Sequence, residues 1–345
     1  MKRGYMDPNL ELLPDSLLAE RRTALTEQFE AVGADVAVIY GDVASADELQ
    51  YFANLGPYWG SATCVLAKDG SRKMVTGMTA RVNFWVSMMS RVPQDDILGV
   101  GPKVNSALAK YLTENYPAGS VVGMVGEYFP DDMRAAIEGA GLKTVWMEDI
   151  AESLLDSRDY AYRTNLLKGI ELMSAAIPGA LKGAMEDGRT MQCVAADVEY
   201  ACRTAGAMDA LFLAGDKNLV FGKAEDVKAD GAWTLLMQLQ YLGDWMIIAR
   251  NTDPSLNQKA FAARDKVIAG LKPGPAQLSF EADGWEVSLM RQTRSDQLSR
   301  VGEGSVQLLS GQVIGIRLCD RKSGVMIEDV ALITDTAARI LTGAC

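Results

Sequence analysis

The chain has 345 residues, of which 48% are apolar and 23% are charged, a composition that is typical of ordinary globular proteins. Its formal net charge of −11 argues against nucleic-acid binding, which depends on clustered lysine and arginine side chains. The sequence contains no histidine, which excludes imidazole bases, Ser-His-Asp and Cys-His catalysis, and histidine-ligated metals.

Targeting signals and cysteine pairs are missing as well. The first twenty residues lack the apolar core and cleavage site of a signal peptide, and no apolar run approaches the ~20 residues of a membrane span. The five cysteines form no CxxC pair, which predicts free thiols rather than a disulfide framework or a zinc site. We therefore expect a cytoplasmic protein with no membrane and no nucleic-acid partner.

Helices and strands alternate through the first part of the chain. Apolar residues at helical spacing predict a helix over 17–32, and an apolar run predicts a strand over 36–40. Gly70 indicates a hairpin turn between two strands. Further elements follow in the order helix 104–115, strand 121–125, helix 130–140 and strand 143–146. This alternation is typical of an α/β layer and predicts a first domain over residues 1–150.

The rest of the chain changes from helices to strands. The pattern predicts helices over 148–155, 165–185 and 195–206, then a hairpin of strands 234–241 and 245–249, a helix over 256–269 and a strand-rich tail over 305–341. The tail turns at 321–324. We expect a second domain over residues 151–345, which makes the fold class α/β (α+β).

A series of short motifs runs along the whole chain. They are Gly33-Ala34-Asp35, Tyr40-Gly41-Asp42, Gly206-Ala207-Met208-Asp209, Tyr241-Leu242-Gly243-Asp244-Trp245, Leu271-Lys272-Pro273-Gly274 and the segment 324–334. The order of these motifs resembles the creatinase / aminopeptidase P family (peptidase family M24). The resemblance covers nearly the whole chain and implies a creatinase-type N-terminal domain, a shortened catalytic-type domain with the pita-bread fold, and a homodimer.

The resemblance also implies where metal ligands would lie. Metal-dependent members bind two ions through two Asp, one His and two Glu, since paired hard cations need several carboxylate oxygens. The two aspartate positions correspond to Leu236 and Ile247, and the first glutamate position corresponds to Arg317. Only the second glutamate remains, as Glu328. Phe221 stands where creatinase, which works without metal, uses a histidine. We expect no metal centre and no cofactor.

Two interpretations of the remaining charged residues stay open. In the first, Glu328 and Asp216 move protons while Arg317 binds the carboxylate of a substrate. In the second, Arg317 and Glu328 lie on neighbouring strands and neutralise each other, and Asp216 caps a loop.

Aromatic side chains are further candidates for the substrate site. Phe221, Tyr241 and Trp245, together with Trp233 and Trp285, could form a cage around a cationic group, or they could belong to the core. Arg250, which the resemblance places after the second hairpin strand, is a further candidate for substrate binding, where such an arginine more often braces the site than reacts.

The first functional hypothesis is a metal-independent, creatinase-like hydrolase or lyase that acts on a C–N or similar bond of a small carboxylate-bearing amine. The alternative is a catalytically inactive protein that keeps the fold in order to bind a ligand or to act as the partner of an active homologue.

Overall fold

The computed structural model describes residues 10–156, 164–172, 175, 190–204, 206–207, 209–215, 219, 221–222, 233–241, 244–291 and 304–342. The chain divides into two compact units, Met1–Asp156 and Ser157–Cys345. The boundary predicted at residue 150 falls inside the helix Glu148–Asp156. No helix among the described residues combines the length and the apolar character that a membrane crossing requires.

Unit 1 is built on a mixed sheet of six strands in the order β4-β3-β2-β1-β5-β6. Strand β1 pairs antiparallel with β2 and parallel with β5. Gly70 has a φ of +82° in the turn between β2 and β3, so the predicted hairpin is present. The strands are β1 (Val36–Asp42), β2 (Ser61–Ala67), β3 (Arg72–Thr76), β4 (Ile97–Gly99), β5 (Val121–Val125) and β6 (Lys143–Trp146).

Seven α-helices accompany this sheet in the described part of unit 1. The single helix predicted over 17–32 is two helices, because the backbone turns at Glu27–Gln28 and the Gln28 N–H donates to the Leu25 carbonyl three residues back. The helices are α1 (Asp15–Thr26), α2 (Phe29–Val32), α3 (Asp47–Ala53), α4 (Asn83–Ser90), α5 (Val104–Asn115), α6 (Asp131–Gly139) and α7 (Glu148–Asp156).

Unit 2 contains a nine-stranded sheet in the order β12-β13-β15-β16-β10-β9-β7-β8, with β17 also paired to β16. A separate pair joins β11 (Gly274–Gln277) to β14 (Ser305–Leu308). The strands of the large sheet are β7 (Asp209–Gly215), β8 (Phe221–Gly222), β9 (Thr234–Tyr241), β10 (Asp244–Asn251), β12 (Ser279–Ala282), β13 (Trp285–Arg291), β15 (Val313–Asp320), β16 (Val325–Ile333) and β17 (Ala338–Ile340).

Successive residues of these strands point to opposite sides of the sheet. On β9, Leu235, Met237 and Leu239 join a core with the helices α8 (164–172) and α9 (Met191–Thr204). On β15 and β16, alternate apolar residues join a second core with the helix α10 (Pro254–Gly270). Leu236 belongs to neither core and joins a small separate cluster. We call the side of the sheet that Leu236 faces the open face.

Candidate functional site

A row of register partners crosses the open face of the unit 2 sheet. Partners in a register lie side by side on the same face, so the row brings together residues from distant parts of the chain. From the edge strand β12 inward, the row consists of Ser279, Ser288, Arg317, Glu328, Ala249, Leu236 and Leu213. One half of this row is polar and the other half is apolar.

The apolar half belongs to a buried cluster of Leu236, Ile247, Ala249 and Met326. Leu236 is 4% exposed and Ile247 is 5% exposed, and these are the two positions that the resemblance assigns to metal-binding aspartates. Within the described ranges, no group of three or more His, Cys, Asp or Glu side chains could hold a metal ion. Aliphatic side chains offer no ligand atom, so the residues of this cluster do not fit a dinuclear metal centre.

Arg317 and Glu328 form an ion pair in the polar half of the row. The Nε and Nη2 atoms of Arg317 lie 2.9 and 2.8 Å from Oε2 of Glu328. The Glu328 side chain is 0% exposed, whereas that of Arg317 is 13% exposed and reaches the surface. Oε1 of Glu328 has no hydrogen-bond partner among the residues that the structure describes. The predicted pairing of these two side chains is therefore present.

Burial raises the pKa of Glu328, while the neighbouring Arg317 opposes that rise. Asp329 also raises this pKa, and Arg250 lowers it. A raised pKa in the folded state means that folded Glu328 keeps its proton to a higher pH than unfolded Glu328. The stability it contributes is therefore complete below the ordinary glutamate pKa and is lost as the pH rises through the folded pKa.

This direction predicts the effect of Glu328→Gln, which removes the titrating proton. The quantity of interest is the free energy of unfolding of the variant minus that of wild type. We expect this difference to increase as the pH rises from about 4.3, the ordinary glutamate pKa, and to level off above the pKa of folded Glu328. Urea unfolding of both proteins across this range measures the difference. A difference that stays constant with pH, or that decreases, would contradict the raised pKa.

A pocket of about 560 Å³ opens beside the polar half of the row. This volume is typical of small-molecule sites, which usually occupy ~300–1,000 Å³. The pocket combines both signs of charge with hydroxyl, thiol and apolar groups. It is lined by Leu219, Ser279, Phe280, Glu281, Glu286, Ser288, Arg317, Cys319, Arg321 and Met326.

The charges of the pocket are partly paired. Arg321 Nε lies 3.0 Å from each carboxylate oxygen of Glu286. Glu281 is exposed and makes no ion pair with the described residues. Burial raises the pKa of the half-buried Cys319 thiol, which makes it a weak nucleophile at neutral pH.

Half of the pocket comes from strands that our sequence reasoning missed. Ser279 and Glu281 lie on β12, and Glu286 and Ser288 lie on β13, in a region where we predicted no strand. The missed signal is Asp283-Gly284, since an Asp-Gly pair between alternating apolar and polar residues is a strong indication of a hairpin. Both residues have positive φ, +52° and +82°, as a two-residue turn of this kind requires.

Arg250 lies away from the pocket, in a buried cluster beside α10. Its side chain is 0% exposed, and its Nη2 lies 2.5 Å from Oδ1 of Asp329. Arg264 Nη1 lies 2.7 Å from the other Asp329 oxygen, and the Phe261 ring packs against both guanidinium groups. This placement gives Arg250 a role in holding β10, β16 and α10 together, rather than the substrate contact that the sequence predicted.

Of the candidate aromatic side chains that the structure describes, none lines the pocket. Tyr241 and Trp233 pack against the core that contains α8 and α9, whereas Trp285 packs against the core that contains α10. Trp245 is half-buried and does not line the pocket either. Asp216 lies outside the described residues, and so does the side chain of Phe221, whose backbone belongs to β8.

Comparison with known proteins gives matches in structure only. No protein-family profile and no curated protein sequence matches the chain. The prolidase of Pyrococcus horikoshii OT3 is 16% identical with a TM-score of 0.73, over 94% of this chain and 98% of that chain. The X-Pro aminopeptidase of Thermotoga maritima MSB8 is 15% identical with a TM-score of 0.70, over 92% and 97%.

A variant of Escherichia coli aminopeptidase P is 14% identical to this chain, with a TM-score of 0.68 over 95% of each chain. Each of these three solved chains thus covers 92–95% of this chain. At these identities the similarity concerns the fold. The chain has the fold of the prolidases and aminopeptidase P, the pita-bread fold of the M24 peptidases.

Proposed function

We propose that this chain binds a small carboxylate-bearing amine in the pocket beside Arg317, and that it does so without a metal ion. The observation that carries the proposal is Arg317 itself, which lines a pocket of ligand size on the open face of the sheet. A guanidinium presents five N–H donors in a planar fork, and the geometry of this fork matches that of a carboxylate.

The metal-independent part of the proposal rests on the apolar cluster. Leu236 and Ile247 fill the positions at which the resemblance expects aspartates, and Arg317 places a cation where it expects a glutamate. A cation beside a metal ion would be repelled by it. The positive charge that a metal would supply to an anionic ligand is here supplied by the guanidinium.

A screen by thermal shift tests this proposal. Full-length protein dialysed against a chelator is heated with creatine, glycine betaine, ectoine or an Xaa-Pro dipeptide. A compound present at 100 times its Kd stabilises the folded state by about 2.7 kcal/mol. The control is the double variant Arg317→Met with Glu328→Met, which removes the anchor and its counter-charge together. We expect stabilisation of wild type alone; equal stabilisation of both proteins would contradict a role of Arg317.

A second candidate function is cleavage of a C–N bond in the same pocket by a hydrolase or lyase mechanism. The observation that favours it is Glu328, a buried carboxyl group whose pKa is raised, next to the side chain that lines the pocket. A carboxyl group with a raised pKa holds its proton to a higher pH than an ordinary glutamate does, and it can pass this proton to a departing amine. Proteins of similar fold include an Xaa-Pro dipeptidase from Bacillus anthracis.

Proton NMR of the bound compounds distinguishes catalysis from binding alone. If Glu328 is the acid, a ligand from the screen is converted by wild type, and Glu328→Gln binds it but does not convert it. If the ligand stays intact in wild type through many hours at saturating concentration, the chain is a binding protein with an enzyme fold.

A further inference from the structure

We infer that the pocket has a second charged subsite at Glu281 that takes the ammonium end of its ligand. The ligand class is then an elongated zwitterion, with its amine and its carboxylate on different carbon atoms. This inference rests on the proposed function, because it assigns the carboxylate to Arg317.

The charge balance of the pocket is the first argument. Arg317 is matched by Glu328, and Arg321 is matched by Glu286. Glu281 has no such match among the described residues, and it lies on the exposed edge strand β12. The Glu281 end of the pocket therefore carries a negative charge that no described residue matches, and a cationic group is complementary to it.

The register of the sheet gives the separation of the two subsites. Glu281 pairs with Glu286, and Glu286 pairs with Cys319, which lies two residues beyond Arg317 on β15. Two strand spacings of ~4.8 Å and two residues of ~3.4 Å give about 12 Å between the Cα atoms of Glu281 and Arg317.

The direction of the Arg317 side chain keeps its charge far from Glu281. Its Nε and Nη2 atoms bind Glu328 on β16, on the side of β15 that faces away from β12. An α-amino acid carries its ammonium and carboxylate groups on the same carbon atom, so these groups lie too close together to reach both subsites. An ω-amino acid with several methylene groups can.

The surface between the subsites suits such a chain. Ser279 and Ser288 line the pocket and can donate hydrogen bonds, while Leu219 and Met326 offer apolar contacts to methylene groups. The pocket thus contains a complementary group for each part of an ω-amino acid.

Isothermal titration calorimetry on chelator-treated, full-length protein tests the inference. The ligands are glycine, γ-aminobutyrate and ε-aminohexanoate, with hexanoate and hexylamine as length-matched compounds of single charge. The variant is Glu281→Gln, which removes an exposed charge that the fold does not use. Glu171→Gln removes an equal exposed charge from α8 and serves as the matched control.

We expect ε-aminohexanoate to bind at least tenfold more tightly than either hexanoate or glycine. In Glu281→Gln, ε-aminohexanoate should no longer bind more tightly than hexanoate, while the Kd of hexanoate should stay the same. In Glu171→Gln, the Kd values of both compounds should equal those of wild type. Equal binding of hexanoate and ε-aminohexanoate, or an unaltered preference in Glu281→Gln, would overturn the subsite while leaving the proposed function intact. If no carboxylate binds, the proposed function and the inference both fail.

Discussion

Asp329→Asn is expected to lower the free energy of unfolding by about 3–5 kcal/mol, the usual cost of removing one partner from a buried ion pair. Asp329 is 0% exposed and receives a hydrogen bond from Arg250 at 2.5 Å and one from Arg264 at 2.7 Å. Thr342 also donates to it at 2.5 Å, which fixes the end of the described chain. Asparagine keeps the shape but removes the carboxylate that the two buried guanidinium groups share, so that Arg264 keeps only its pair with the exposed Asp265.

Asp283→Asn is the matched control for this change. Asp283 pairs with Lys266, but both side chains are more than half exposed, and such surface pairs contribute about 0–1 kcal/mol. Asparagine also tolerates the positive φ of this position. Chemical denaturation of both variants should therefore separate them by several kcal/mol. Similar losses in the two would show that the Asp329 cluster does not hold unit 2 together.

The second large effect is expected at the Arg317–Glu328 pair. Arg317→Met should cost about 3–5 kcal/mol at neutral pH, because it removes the ion-pair partner of a fully buried carboxylate. Glu328→Met should cost less, since the side chain of Arg317 is 13% exposed and can turn toward water. The double variant should return to within about 1–2 kcal/mol of wild type, as methionine can fill the site without burying a charge.

These variants form a double-mutant cycle, which isolates the energy of the pair. The cost of Arg317→Met should also shrink as the pH falls, because a protonated Glu328 needs no counter-charge. Additive losses in the double variant, or a cost of Arg317→Met that does not depend on pH, would contradict a buried ion pair at this place.

Local patterns in the sequence predicted many elements but not the way they combine. Strands β5 and β6 and helix α5 have the bounds that periodicity predicted, since each is a regular apolar pattern between clear breaks. The sequence also predicted that Arg317 and Glu328 pair across neighbouring strands, because a short turn joins the two strands on which they lie. These features depend on neighbours in the sequence, which a single chain displays directly.

The parts that sequence reasoning missed depend on distant contacts. Arg250 finds its partner Asp329 79 residues later and shares it with Arg264 on α10, and no spacing rule connects these three. The sequence left open whether Tyr241 belongs to a substrate cage or to the core; it faces the core with Leu239 because both lie on the same side of β9. The side of a strand that faces a pocket depends on the sheet that forms around it.

A small carboxylate-bearing amine that binds beside Arg317 without a metal should shield Cys319 from alkylation, because both residues line the same pocket. Cys319 lines the pocket, whereas Cys193 is exposed elsewhere in the described chain and serves as an internal control. Peptide mass spectrometry measures the rate at which each thiol of chelator-treated protein reacts with iodoacetamide. The rate is measured without ligand, with ε-aminohexanoate, and with each compound that stabilises the protein in the thermal screen. The account predicts slower alkylation of Cys319 alone. Unchanged alkylation with every compound, or protection that appears only after Mn²⁺ or Co²⁺ is added, would contradict it.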